Sequence, residues 1–127
     1  MRATLGMTIG VGLCAVLICT FALVGIGDIV GEVERMRLET VEYVEAGDSV
    51  AARERLTQLA NHWHAHTGLL EVISAHDDVH EAASAILDAQ VCLEMNDLDD
   101  LLRVLEQLGM ALEHIYSIQQ VNYSNLY

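Results

Sequence analysis

The sequence predicts an all-α protein: one N-terminal transmembrane helix continuing into an antiparallel three- to four-helix bundle. Three observations carry this. Proline, the strongest helix breaker, is absent from all 127 residues. Residues 3–27 carry no charge. Beyond them, apolar residues recur at alternating spacings of three and four in successive segments, the signature of helices with one buried face.

The first element is the uncharged run, ATLGMTIGVGLCAVLICTFALVGIG. As a helix it would be about 37 Å long, against a hydrocarbon core of about 30 Å. A cleaved signal peptide is the rival reading, but its apolar core is ordinarily shorter, about 7–15 residues. Neither Cys14 nor Cys19 follows the small residue that a lipoprotein signal would place before it. Arg2 lies on one side of the run and Arg35 and Arg37 on the other, so the balance of positive charge is nearly even. The very short N-terminal tail favours a signal anchor, with the amino terminus cytoplasmic and the C-terminal domain extracytoplasmic. Within the run, Gly10-Val-Gly-Leu-Cys-Ala15 imitates a dinucleotide fingerprint but follows no strand. Gly6 with Gly10, and Gly27 with Gly31, form small-residue pairs that would let another helix pack closely.

The chain therefore divides into an anchor over 1–27, a juxtamembrane helix extension over 28–46 and an acidic helical bundle over 47–127. The anchor's helix is expected to run on unbroken, with Ile29, Val33, Met36, Thr40, Val41 and Val44 on its apolar face. Gly47 suits a C-terminal cap, and Asp48 or Ser49 the next N-cap. The second helix shows a seam of Ala52, Leu56, Leu59, Trp63, His66, Leu70 and Ile73, with a weak point at Gly68. Trp63 on that seam reads as a core anchor. Ser74-Ala-His-Asp77 resembles a capping box, followed by a face of Val79, Ala82, Ala83, Ile86, Ala89 and Leu93. Asn96 closes that helix and Asp97 opens the last, whose seam is Leu98, Leu101, Leu105, Leu108, Leu112 and Ile115. The tail from Val121 to Tyr127 has no clear period. Short loops make neighbouring helices antiparallel and return the C-terminus towards the membrane, where Tyr116, Tyr123 and Tyr127 would suit the lipid interface.

Charge narrows the partners. From Asp28 onward there are 19 acids against five arginines and no lysine, a net charge of −14. Such a surface repels phosphate backbones, so nucleic acid is excluded as a ligand class. Three cysteines, two of them inside the uncharged run, make neither a disulfide framework nor a zinc pattern.

No catalytic constellation is present. His76-Asp-Asp-Val-His80 differs from the zinc-protease motif because Asp77 stands where the catalytic glutamate belongs. There is no nucleophile elbow and no phosphate-cradling loop. The histidines are the remaining candidates. His62 and His66 are four apart, as are His76 and His80, the spacing at which two imidazoles on one helix face can share a metal. The antiparallel arrangement would bring His114 level with His62 and His66, and His80 about one turn away. A divalent metal held by His62, His66, His80 and His114 is the one cofactor the sequence admits. Protonation of the same histidines would make a pH sensor instead.

An N-terminal anchor, Gly47-Asp48, the lone Trp63, His76-Asp77 opening a helix, the acid-led helix from Asp97 to Leu112 and a closing Ser-Asn-Leu-Tyr together resemble the bacterial family known as domain of unknown function four-three-six-three. The resemblance runs from about Gly47 to the end. It implies a small membrane-anchored helical protein with no agreed activity and partnership with a polytopic membrane protein. The function expected is a non-enzymatic interaction module that binds a membrane or envelope protein, or a second copy of itself. The alternative is a metal- or pH-responsive sensor.

Overall fold

A computed structural model describes the backbone of residues 2–73 and 76–125; the side chains of residues 19–24, 73, 76 and 118–125 lie outside the described set. Four helices make up the described chain: α1 (Arg2–Glu45), α2 (Ser49–Ile73), α3 (His76–Glu94) and α4 (Leu98–Asn125). Helix α1 packs on α2 and α4, and α3 packs on the same two, so the four close into a ring around one core.

The core follows the predicted faces. Ile29, Val33, Met36, Thr40 and Val44 are buried on α1, Ala52, Leu56, Leu59, Trp63 and Leu70 on α2, Val79, Ala82, Ile86, Ala89 and Leu93 on α3. On α4 the buried seam begins at Leu101, because Leu98 sits in the first turn with its side chain 36% exposed. Thr40 is admitted to the core because its hydroxyl donates to the Met36 carbonyl at 2.8 Å.

Two of the turns share one construction. At the end of α1 the Gly47 amide bonds to Val44 O and the Asp48 amide to Tyr43 O; at the end of α3 the Asn96 amide bonds to Leu93 O and the Asp97 amide to Cys92 O. Both are Schellman closures, which need a residue with positive φ, and Gly47 (77°) and Asn96 (55°) supply it. The aspartate that follows each then caps the next helix: Asp48 Oδ1 accepts from the Ala51 amide and Asp97 Oδ1 from the Asp100 amide.

Two expectations change. Helix α2 continues without interruption through Gly68. Helix α4 continues to Asn125, through most of the tail that shows no period in sequence. The capping box at Ser74–Asp77 falls largely outside the described residues.

Helix α1 is one continuous element, as expected, but only its C-terminal part is packed. Leu5, Met7, Ile9, Val11, Leu13, Val16, Leu17 and Ile18 are all more than half exposed. Among the described residues, no helix is long and apolar enough to cross a membrane. The fold therefore establishes the projecting apolar helix, not its crossing.

Candidate functional site

Where α1 meets α4 the ring is not filled. A groove of about 420 Å³ opens there. Its α1 wall is Gly27, Val30, Gly31, Glu34 and Arg37, residues three and four apart on one helix face. Its α4 wall includes Glu106, Gly109, Met110, Glu113 and Tyr116. The groove is hollow because glycine stands where side chains would otherwise meet. A Cβ built on Gly31 would touch nothing within 4 Å. On the opposite wall Gly109 is covered: a Cβ there would lie 2.7 Å from Cζ of Arg37.

Arg37 thus reaches from α1 across to α4 and lies over Gly109. Its Nε donates to Glu34 Oε2 at 2.7 Å and its Nη2 to Glu34 Oε1 at 2.5 Å, a two-pronged pair. Nη1 reaches across to the Leu105 carbonyl at 3.4 Å. The hydrogen bond that Arg37 donates to Glu34 raises the Arg37 pKa above its ordinary value, burial opposes it, and the charges of Glu34 and Glu106 add to the rise. Glu106 and Glu113 are the carboxylates of the α4 wall; Glu106 feels the Arg37 charge at longer range, and neither makes a contact ion pair among the described residues.

The histidines are divided between two places. The His62 and His66 rings meet at a tilt of 46° with centroids 4.6 Å apart, and His66 Nδ1 lies 2.9 Å from the His62 carbonyl, the distance of an N–H···O bond. His62 Nε2 is buried without a hydrogen-bond partner. Burial, followed by the neighbouring His66, lowers the His62 pKa, and Glu32 opposes them. His114 instead sits with Nδ1 2.8 Å from Asp78 Oδ1 on α3. His80 is exposed on the same helix. Among the described residues, no group of three or more histidines, cysteines and carboxylates is placed to hold a metal ion. The expected cluster of four is not assembled, because His114 is turned to Asp78 while His62 and His66 engage each other.

On the projecting part of α1, a Cβ on Gly6 or Gly10 also meets nothing within 4 Å. Cys92 is half-buried, and burial together with Asp100, whose carboxylate is 3.8 Å from Sγ, pushes its thiol pKa up, so it stays protonated.

A family model matches residues 30–126. The chain belongs to the family described as Domain of unknown function (DUF4363). The matched segment begins at Val30 rather than near Gly47, which brings the packed part of α1 into the family's domain. Within it, Val33, Met36, Thr40 and Val44 are as much a part of the core as the seams of the later helices. The DUF4363 segment contains every residue of the groove except Gly27, and it leaves out the projecting apolar run. No curated protein and no solved structure matches the chain.

The residues that sequence reading missed here are Gly109, Arg37 and Asp78. A glycine inside a helical seam costs about 1 kcal/mol against alanine, and that cost was the available signal of a close approach at Gly109.

Proposed function

We propose that this protein is a non-enzymatic helical module, anchored in a membrane by the N-terminal part of α1, that binds another membrane or envelope protein through its DUF4363 bundle. The observation that carries this reading is the projection of α1. A helix segment whose apolar side chains are left uncovered by the described residues is unstable in water, and lipid is the environment that suits it. The exposed apolar side chains reach from Leu5 to Ile18, and the sequence stays uncharged through residue 27. Together these residues are long enough for a span of about 30 Å. The preferred orientation has the amino terminus cytoplasmic and the acidic bundle outside.

Two measurements test it. Membrane fractions washed with alkaline carbonate should retain the full chain, and release into the wash would remove the anchor. Alkaline phosphatase fused after Tyr127 should be active, since that enzyme matures only outside the cytoplasm; an inactive fusion would reverse the orientation. Cross-linking in the native membrane should then give a stoichiometric heterologous partner.

A pH-responsive role is the second reading. It is favoured by one observation, the buried and unpartnered Nε2 of His62.

A further inference from the structure

We propose that the groove between α1 and α4 receives one amphipathic helix of a different protein, whose apolar face is flanked by two basic residues about two turns apart. The inference rests on the reading of this chain as an interaction module and names the surface and the chemistry of its partner.

Shape supports a helix. The two walls are parallel to the helix axes, Val30 and Leu112 give the groove an apolar floor, and Gly27 and Gly31 let a backbone approach closely. Met110 and Tyr116 stand exposed at its lip, 64% and 47% open. Large apolar side chains held open beside a groove are what a docked helix face covers.

Charge selects the partner. Glu34 and Arg37 neutralise each other. Glu106 and Glu113 remain, seven positions apart on α4 and so separated by about 10 Å along its axis. A helix lying beside α4 with lysine or arginine two turns apart would pair with both.

A second copy does not fit. The chain has arginine at 2, 35, 37, 53, 55 and 103 and no lysine, so none of its helices carries two permanently charged basic residues two turns apart. Of these, Arg35, Arg37, Arg55 and Arg103 already contact carboxylates. A second groove would bring Glu106 and Glu113 again, with its Arg37 already held by Glu34, and like charges repel at an interface.

The test uses the full chain in nanodiscs of zwitterionic phosphatidylcholine. The probe is a fluorescent leucine–alanine helix with lysines two turns apart, and its control has glutamates there. The lysine peptide should bind saturably and the glutamate peptide should not. Gly31→Trp should weaken binding at least about tenfold, a change of about 1.4 kcal/mol. It should leave the chain folded, with melting no lower than wild type, since a Cβ at 31 meets nothing within 4 Å and glycine is the weaker helix former. Glu106→Lys with Glu113→Lys should exchange the preference, rejecting the lysine peptide and accepting the glutamate one. The proposal is overturned by equal affinity for both peptides, by no saturable binding, by Gly31→Trp binding as wild type does, or by self-association that Gly31→Trp abolishes. Photo-cross-linking in the native membrane separates this failure from that of the broader reading. A heterologous partner that still cross-links to Gly31→Trp removes the groove but keeps the module; no heterologous partner to wild type removes the module.

Discussion

Asp78 Oδ1 and His114 Nδ1 lie 2.8 Å apart, and this contact fastens the first turn of α3 to α4. The two side chains are unequal: that of Asp78 is 11% exposed and that of His114 64%. The carboxylate has therefore given up most of its water, and the imidazole replaces part of it. Replacing His114 with alanine leaves a nearly buried acceptor short of a donor, which costs about 1–3 kcal/mol. His114→Gln keeps an N–H in reach and should recover part of the loss. Urea denaturation of the full chain in detergent measures both. A loss under about 0.5 kcal/mol for His114→Ala would mean that the α3 N-terminus satisfies Asp78 by itself.

His62 predicts a pH dependence of defined sign. Its folded pKa lies below the ordinary 6.5, because burial and His66 both disfavour the imidazolium. The unfolded chain then binds a proton more readily than the folded one as pH falls below 6.5. Stability is therefore full above the unfolded value and is lost progressively below it. The melting temperature should be level above about pH 7 and should fall on acidification. His62→Leu should flatten that slope. If the slope survives the substitution, His62 is not its source and the pH-responsive reading loses its support.

The parts of this fold that were legible in sequence are those set by local rules. Helix faces follow from spacing, and the closures at Gly47 and Asn96 from residues that tolerate positive φ beside aspartates that cap. The groove was not legible, because it is a shortage of side-chain volume where two distant segments meet. Gly27 and Gly31 could be flagged as a close-packing pair, yet what stands opposite them depends on the register of α4 against α1. Arg37 reads locally as a surface charge paired with Glu34. Its passage over Gly109 is a tertiary fact. The histidines failed as a cluster for the same reason: levels along the bundle can be counted, but which way an imidazole turns is decided by its neighbours, and Asp78 decides it for His114.

Two glycines should respond to alanine in opposite directions. Gly68 lies inside α2 with helical backbone and open space where a Cβ would go. Gly68→Ala should stabilise the protein by about 0.5–1 kcal/mol, through helix propensity and a less flexible unfolded chain. Gly47 has equally open surroundings but φ of 77°. There, Gly47→Ala should destabilise by about 1–2 kcal/mol, because a left-handed conformation brings Cβ against the backbone. Thermal melts of the two variants and wild type give the comparison. Shifts of the same sign would mean that the α1–α2 turn does not need its Schellman closure.

Trp63 separates packing from hydrogen bonding within one side chain. It is fully buried, and its Nε1 has no hydrogen-bond partner. The ring contributes volume to the centre of the α2 seam, whereas the N–H has been removed from water without compensation. Trp63→Ala should therefore cost about 3–5 kcal/mol by opening a cavity. Trp63→Phe loses some volume but also removes the uncompensated donor, so the two effects oppose and the net cost should be under about 1.5 kcal/mol. Because Trp63 is the only tryptophan, fluorescence reports on it without interference. Emission should be blue-shifted and resistant to iodide quenching in the folded chain. A large loss for Trp63→Phe, close to that for alanine, would show that the indole nitrogen contributes a contact that burial alone does not explain.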